Sequence, residues 1–343
     1  MKIKRKLLWS VVTLALAVLT VYIVMRSSGM SLDQLSAAIG KARVEYLLPA
    51  LLCTLGIVWF EGRAVLTILR RAGYPQKKRR GFIYAAADAY FSAITPSATG
   101  GQPASAFFMI RDGIPAAVAT ASLLANLVMY NAAIITIGFF CILVRPKLFM
   151  HYLPGGRALI ILGILVLSVM GLLFFLLLWK QRTLFKIADK AISFLVRVRL
   201  MRHPDKWRDR LEEAMYEYGR CVDILAGSKK MWIMAYLFNV LERVSQFGVT
   251  VFAYLALGGK LSVCFDLWVT QCMVSLGANC VPIPGSMGVT DYLMIDGYMN
   301  LMDHSMVYEL QMLARGLSFY FCVLLSGVVI LFVYLRSLHR KRS

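Results

Sequence analysis

Residues 95–103 read Thr-Pro-Ser-Ala-Thr-Gly-Gly-Gln-Pro, and they interrupt an otherwise apolar stretch that runs from residue 82 to residue 110. Each arm of this stretch is shorter than the roughly 20 helical residues that cross the hydrocarbon core of a bilayer. Irregular backbone is tolerated at membrane depth only where it is buried in protein or lines a wet cavity. The stretch therefore predicts a re-entrant hairpin whose tip lies inside the protein.

A second interruption of the same kind occurs in the other half of the chain. Residues 281–289 read Val-Pro-Ile-Pro-Gly-Ser-Met-Gly-Val and divide the apolar stretch 265–302. This pattern predicts a second re-entrant hairpin, which opens to the outside, whereas the first opens to the cytoplasm.

Long apolar segments surround the two interrupted stretches. The chain is 59% hydrophobic and its mean hydropathy is +0.67, whereas a soluble domain is about half apolar. Segments long enough to span a bilayer occur at residues 7–25, 44–69, 116–144, 158–179, 231–257 and 305–335. The predicted fold class is therefore an all-α polytopic membrane helix bundle, with about six full spans and two re-entrant hairpins.

The positive charge is concentrated in blocks beside the predicted spans. The chain has 38 Lys and Arg residues and a net charge of +20, and most of these residues lie at 2–6, 70–80, 180–230 and 336–342. Basic blocks beside spans mark the cytoplasmic side and attract anionic lipid. We therefore expect both ends of the chain on the cytoplasmic side of the membrane and no direct binding of nucleic acid.

The longest polar segment, residues 180–230, contains one amphipathic pattern. Leu211, Met215, Tyr218, Val222 and Leu225 follow one another at four- and three-residue spacing, which predicts one apolar helix face. An interfacial helix under the bundle explains this pattern, and a helix that binds a soluble partner is the alternative.

The order of segments repeats within a single transmembrane domain that covers residues 1–343. Residues 1–145 read span, span, broken hairpin, span, and residues 157–343 read the same. Three full crossings in each half make the two halves enter from opposite sides. This is an inverted repeat, and transporters with inverted repeats bind substrate near the midplane at broken helices.

Catalytic signatures are absent from the sequence. The seven Cys and four His residues form no metal-ligand spacing, and no Walker motif or glycine-rich dinucleotide turn occurs. We therefore expect no cofactor, no metal and no catalytic residue.

The interrupted stretches also resemble a known family. Residues 95–103 with Arg111-Asp-Gly-Ile-Pro115, and residues 282–291, are similar to the paired motifs of the lysylphosphatidylglycerol synthase transmembrane (flippase-like) family, which includes the membrane half of the multiple peptide resistance factor. Ser286 and Asp291 depart from its usual Gly and Glu. The resemblance implies movement of a phospholipid, such as lysylphosphatidylglycerol, between leaflets, and resistance to cationic antimicrobial peptides.

Two further functions stay open. The family name implies phosphatidylglycerol lysyltransferase activity, but residues 180–230 are too short for a transferase domain of about 100–150 residues. That activity would need a separate aminoacyl-lipid synthase as partner. An ion-coupled carrier of a small solute is the other alternative, and a homodimer is also compatible with the sequence.

The two breaks supply the first set of candidate headgroup-binding residues. A helix that starts after Gly and Pro presents unpaired backbone N–H groups and the positive end of its dipole, which together bind anions. Purely structural kinks are the alternative. The candidates are Pro96, Thr99, Gly100, Gly101, Gln102, Pro103, Pro282, Pro284, Gly285 and Gly288.

Charged residues in or beside the predicted spans supply the second set. Each charge at the bilayer centre costs roughly 2.5–3.5 kcal/mol, so these side chains must pair or face water. Two interpretations remain, a polar cavity that holds a lipid headgroup and a structural salt-bridge cluster. Asp291 is either a helix-start residue or a contact for a cationic group. The candidates are Glu61, Arg63, Asp88, Arg111, Glu242, Arg243, Asp291 and Arg315.

Overall fold

The structure is a computed structural model that describes residues 39–95, 98–180, 204–279, 286 and 288–339, together with residues 183, 186, 190 and 193. The predicted first span at 7–25 lies outside the described residues. So do four candidate residues of the two breaks, Pro96, Pro282, Pro284 and Gly285.

The described part of the chain is helical and contains no strand. Apolar side chains every three or four residues and a scarcity of internal Pro favour helix in these segments. The helices are α1 (Val44–Arg71), α2 (Lys78–Ile94), α3 (Gly101–Arg111), α4 (Ala116–Val144), α5 (Pro146–His151), α6 (Pro154–Trp179), α7 (Pro204–Ala226), α8 (Lys229–Ala256), α9 (Cys264–Ala278), α10 (Val289–Tyr298), α11 (His304–Arg315) and α12 (Cys322–His339).

Five helical segments in the described residues are long and apolar enough to cross a membrane, so the protein is a multi-pass membrane protein. They are Val44–Arg71, Ala116–Val144, Pro154–Trp179, Leu261–Ala278 and His304–Arg336. Leu261–Ala278 overlaps the stretch that the sequence assigned to the second hairpin, so the predicted six spans and two re-entrant hairpins stay a prediction. The predicted span 231–257 is helix α8, which is not one of the five and carries Glu242 and Arg243 in its middle.

Helices α1 and α8 form the centre of the bundle as an antiparallel pair. Each has 28 residues, which corresponds to a length of about 42 Å. The backbone N–H of Arg43 donates to the carbonyl of Ala256 (2.8 Å) at one end, and Phe60 stacks on Phe238 (6.5 Å between ring centroids) further along. The two helices therefore stay in contact over most of their length.

Helices α2 and α3 pack against each other as a helical hairpin around the first break. Arg80, at the start of the hairpin, forms an ion pair with Asp112 at its end (2.9 Å), and the Tyr84 hydroxyl donates to the same carboxylate (2.7 Å). The two ends of the hairpin are therefore held together on one side of the bundle.

Helices α9 and α10 form the corresponding hairpin around the second break. The Tyr298 hydroxyl on α10 donates to the side-chain oxygen of Gln271 on α9. Gly163 on α6 lets α9 approach closely, because a methyl group at Gly163 would lie 1.9 Å from the carbonyl oxygen of Leu276.

Each hairpin packs against helices of both halves of the chain. Helix α2 contacts α1 and the last helix, α12, and helix α9 contacts α4, α6 and α8. This exchange joins the two halves into one bundle.

Helix α7 has the apolar face that its residue spacing predicted. Tyr218, Val222 and Leu225 are buried, and the Tyr218 hydroxyl donates to the carbonyl of Leu177 (3.2 Å) at the end of α6. The Trp232 indole N–H at the start of α8 donates to the carbonyl of Leu225 (3.0 Å). The interfacial helix is therefore fixed beneath α6 and α8.

The docked position of α7 should slow the chemistry of its only cysteine. Burial raises the pKa of the Cys221 thiol to about 11, so the reactive thiolate is scarce at neutral pH. We expect maleimide labelling of Cys221 to be at least about 100-fold slower at pH 8 than labelling of an exposed cysteine, because the pKa is about two units above its ordinary value. The control is Gly227→Cys, since Gly227 is exposed one residue beyond α7. Peptide mass spectrometry measures both rates, and equal rates would show that α7 is not docked.

Candidate functional site

The first break brings the start of helix α3 against a carboxylate on α2. A methyl group at Gly101 would lie 1.8 Å from Oδ1 of Asp88 and 2.1 Å from the Ser92 hydroxyl, so only glycine fits. The backbone N–H of Gly100 donates to the Thr95 hydroxyl (2.9 Å), and Ala98 adopts a left-handed backbone with φ 53°. The start of α3 therefore lies against an anionic group of the protein itself, the Asp88 carboxylate.

The Asp88 carboxylate is also the centre of a hydrogen-bond cluster. It accepts from the Gln102 amide (2.7 Å) and from the Ser92 hydroxyl (3.1 Å), and it shares a hydrogen bond with Glu61 on α1. Because a carboxylate has no hydrogen to donate, two carboxyl groups can share a hydrogen bond only if one of them carries a proton. Two buried carboxyl groups therefore lie close together beside the first break.

Glu242 and Arg243 form a buried ion pair in the middle of α8. Their exposed fractions are 3% and 5%. The Arg243 guanidinium also donates to Oε1 of Gln246 (2.5 Å) and lies over the ring of Tyr130, 4.4 Å from its centroid. A guanidinium held by a carboxylate, an amide and an aromatic face has a fixed position, as an anion-binding group requires.

The second break has a comparable arrangement around Asp291 on α10. Its carboxylate accepts from the backbone N–H of Gly288 (3.1 Å) and from the Gln311 amide (2.9 Å), and it pairs with Nε of Arg315 (3.2 Å). Ser286 adopts a left-handed backbone with φ 47°. Asp291 is therefore both the cap of α10 and an ion-pair partner of Arg315.

A π-helical segment, Gly316–Phe321, follows Arg315 directly. Such segments are rare and occur frequently at functional sites. The Thr54 hydroxyl on α1 donates to the carbonyl of Leu317 (3.2 Å), so α1 supports the irregular turn. The widened turn lies beside a polar cavity, and Ser318 and Phe319 line part of it.

A polar cavity of about 230 Å³ lies between Arg243 and Arg315. The amide side chains of Gln246, Gln271 and Asn279 form part of its wall. Hydroxyl groups come from Tyr130, Thr250, Ser275, Ser286, Thr290 and Ser318. Two arginines with many hydrogen-bond donors form a wall that suits an anionic group.

The predicted charged residues divide into two groups in the structure. Glu61, Asp88, Glu242 and Arg243 interact with one another, and Asp291 and Arg315 form an ion pair beside the same cavity. Glu61 therefore has Asp88, Glu242 and Arg243 in its surroundings.

Other candidates lie away from this cavity. The Arg63 guanidinium lies over the ring of Phe238, 5.3 Å from its centroid. Thr99, Pro103 and Arg111 are exposed on the first hairpin. None of these four is among the described residues that line the cavity.

Several cavity residues escaped the sequence reasoning, which looked for charges and for Pro/Gly breaks. Gln246, Gln271 and Tyr130 lie within long helices that look like ordinary spans. A usable signal was present, because amide side chains inside an apolar helix need a polar neighbour. Asn126 and Asn239, which bond to each other across α4 and α8 (3.1 Å), show the same signal in a purely structural pair.

Comparison with known proteins gives one family. Residues 7–326 match the family described as the lysylphosphatidylglycerol synthase TM region. No curated protein and no solved structure matches the chain. Because the family match covers most of the 343 residues and includes both interrupted hairpins, the chain belongs to the lysylphosphatidylglycerol synthase transmembrane-region family.

Proposed function

We propose that this protein moves a phospholipid between the two leaflets of a bacterial cytoplasmic membrane. The observation that carries the proposal is the polar cavity between Arg243 and Arg315, two side chains that are each 5% exposed. Buried arginines in a membrane protein are costly and mark substrate pathways by default. A lipid phosphate in this cavity would contact both guanidinium groups while its acyl chains remain in the bilayer.

The arrangement of the hairpins supports a carrier. We infer that α2–α3 and α9–α10 are re-entrant hairpins of an inverted repeat, with their ends on opposite sides of the membrane and both chain termini in the cytoplasm. The Arg80–Asp112 ion pair, which joins the two ends of the first hairpin beside the basic block 70–80, favours this topology. The cavity then lies where transporters with inverted repeats bind substrate.

Lipid movement can be measured directly in proteoliposomes. Phosphatidylglycerol with a fluorophore on one acyl chain is placed in both leaflets, and dithionite then bleaches the outer leaflet. We expect bleaching to proceed beyond the outer-leaflet fraction only in vesicles that contain the protein. Bleaching that stops at the outer-leaflet fraction, as in protein-free vesicles, would refute the proposed function.

A second candidate, proton coupling, is favoured by the carboxyl pair. Glu61 and Asp88 share a hydrogen bond, and Glu242 with Arg243 lies close enough to interact electrostatically. Proton release from this pair would change the charge beside Arg243 and so the affinity of the cavity for an anion. If coupling occurs, an imposed pH gradient should change the rate of lipid movement in the wild type. The Asp88→Asn protein should lose that dependence, and an unchanged wild-type rate would exclude coupling.

A further inference from the structure

The fixed charge that faces the cavity is cationic. Arg243 and Arg315 line it, and no carboxylate is among the described residues of its wall. An ammonium group at the wall would therefore meet the two guanidinium groups first, because the Glu242 and Asp291 carboxylates that pair with them are not lining residues.

Two of the three amides in the wall, Gln246 and Gln271, present donors, whereas the third, Asn279, donates its NH₂ group to the carbonyl of Ser275 (2.6 Å). Oε1 of Gln246 already accepts from Arg243 (2.5 Å), and Oε1 of Gln271 already accepts from the Tyr298 hydroxyl. Gln246 and Gln271 therefore each have an NH₂ group left to donate. Within the described part of the chain, Nε of Arg243 is buried and has no hydrogen-bond partner. These donors match the acceptor oxygens of a phosphate.

The other groups that recognise cations are already engaged. The ring of Tyr130 is covered by Arg243 at 4.4 Å, and the ring of Phe319 lies under Arg315 at 5.9 Å. The Asp291 carboxylate accepts from the Gly288 backbone and the Gln311 amide and pairs with Arg315, while Glu242 pairs with Arg243. A cationic headgroup would have to displace one of these contacts.

We infer that the cavity selects a phospholipid with a net-anionic headgroup that carries no amine, and that it discriminates against aminoacylated and zwitterionic lipids. The inference rests on the proposed function and names its substrate class. The size of the cavity agrees with it, since about 230 Å³ is below the roughly 300–1,000 Å³ of pockets for drug-sized ligands. A phosphate with a small polyol fits this space better than a phosphate with a lysyl ester.

The test compares three lipids with the same labelled acyl chains in proteoliposomes, namely phosphatidylglycerol, phosphatidylethanolamine and lysylphosphatidylglycerol. We expect phosphatidylglycerol to move at least about tenfold faster than either amine-bearing lipid, a ratio that corresponds to about 1.4 kcal/mol. Equal rates, or faster movement of lysylphosphatidylglycerol, would overturn the selectivity and leave the carrier function intact. Movement of none of the three would refute the carrier function itself.

A variant that adds one carboxylate to the wall tests the electrostatic cause. Gln271→Glu keeps the size of the side chain and still accepts from the Tyr298 hydroxyl, so the fold should persist. This variant should slow the movement of phosphatidylglycerol between leaflets and accelerate the movement of lysylphosphatidylglycerol. The matched control is Asn300→Asp, an amide-to-acid change at an exposed residue away from the cavity, which should leave the ratio of rates unchanged. An unchanged ratio in folded Gln271→Glu would refute the inference, and if that variant does not fold, the wild-type comparison decides.

Discussion

Replacement of Arg243 by glutamine is expected to abolish lipid movement and to destabilise the bundle by about 3–5 kcal/mol, because removal of one partner leaves a buried charge uncompensated. Glu242 is 3% exposed and pairs with Arg243, so it would be the stranded charge. Thermal unfolding in detergent measures the loss of stability, and the dithionite assay measures transport.

The double variant Glu242→Gln with Arg243→Gln separates structure from binding. With both charges gone, stability should recover towards the wild type, whereas transport should stay lost because the cavity has lost a phosphate contact. Arg63→Gln is the control, since Arg63 lies over Phe238 and outside the cavity wall. Wild-type transport by the double variant would show that the pair is only structural.

Gly101→Ala is expected to have the second-largest effect. The new methyl group would lie 1.8 Å from Oδ1 of Asp88, so the carboxylate must leave its position against α3. Its hydrogen bonds with Glu61, Ser92 and Gln102 would then be lost. At about 1 kcal/mol for each hydrogen bond, the expected destabilisation is about 3 kcal/mol.

The matched control for this change is Gly40→Ala, because no atom lies within 4 Å of a methyl group there. Its unfolding temperature in detergent should equal that of the wild type or exceed it slightly, since alanine favours helix over glycine. If Gly101→Ala unfolds at the same temperature as the control, the Asp88 carboxylate does not hold the first break together.

The sequence predicted the chemistry of the two breaks but not which anion meets the first helix start. Gly100 and Gly101 indicate a helix start with free N–H groups, and that pattern is local. The group that fills the site, Asp88, is 13 positions earlier on the neighbouring arm, and only the packing of α2 on α3 brings it there. The proposed phosphate contact is therefore with Arg243 and Arg315 and not with this helix start.

The assignment of individual helices to membrane spans also depends on more than the local sequence. Hydropathy detects a span by length and apolar content. By this measure Leu261–Ala278 qualifies as a span, whereas α8 does not. The first is apolar enough to cross, although the break beyond it resembles a hairpin arm, while α8 is a 28-residue central helix with a buried ion pair in its middle. A charge inside a helix lowers its hydropathy whether or not a partner compensates it. The presence of such a partner is visible only in the tertiary structure.

By itself the sequence determined the all-helical membrane class, the positions of most helices, the two interrupted segments and the apolar face of α7. These properties depend on hydrophobic length, residue spacing and Pro/Gly content, which are local along the chain. Only the tertiary structure decided that Arg243 and Arg315 line one cavity, that Arg63 does not, and that Gln246 and Gln271 direct donors into it. Those relations join side chains that are up to about 190 residues apart, and packing of helices, not local pattern, brings them together.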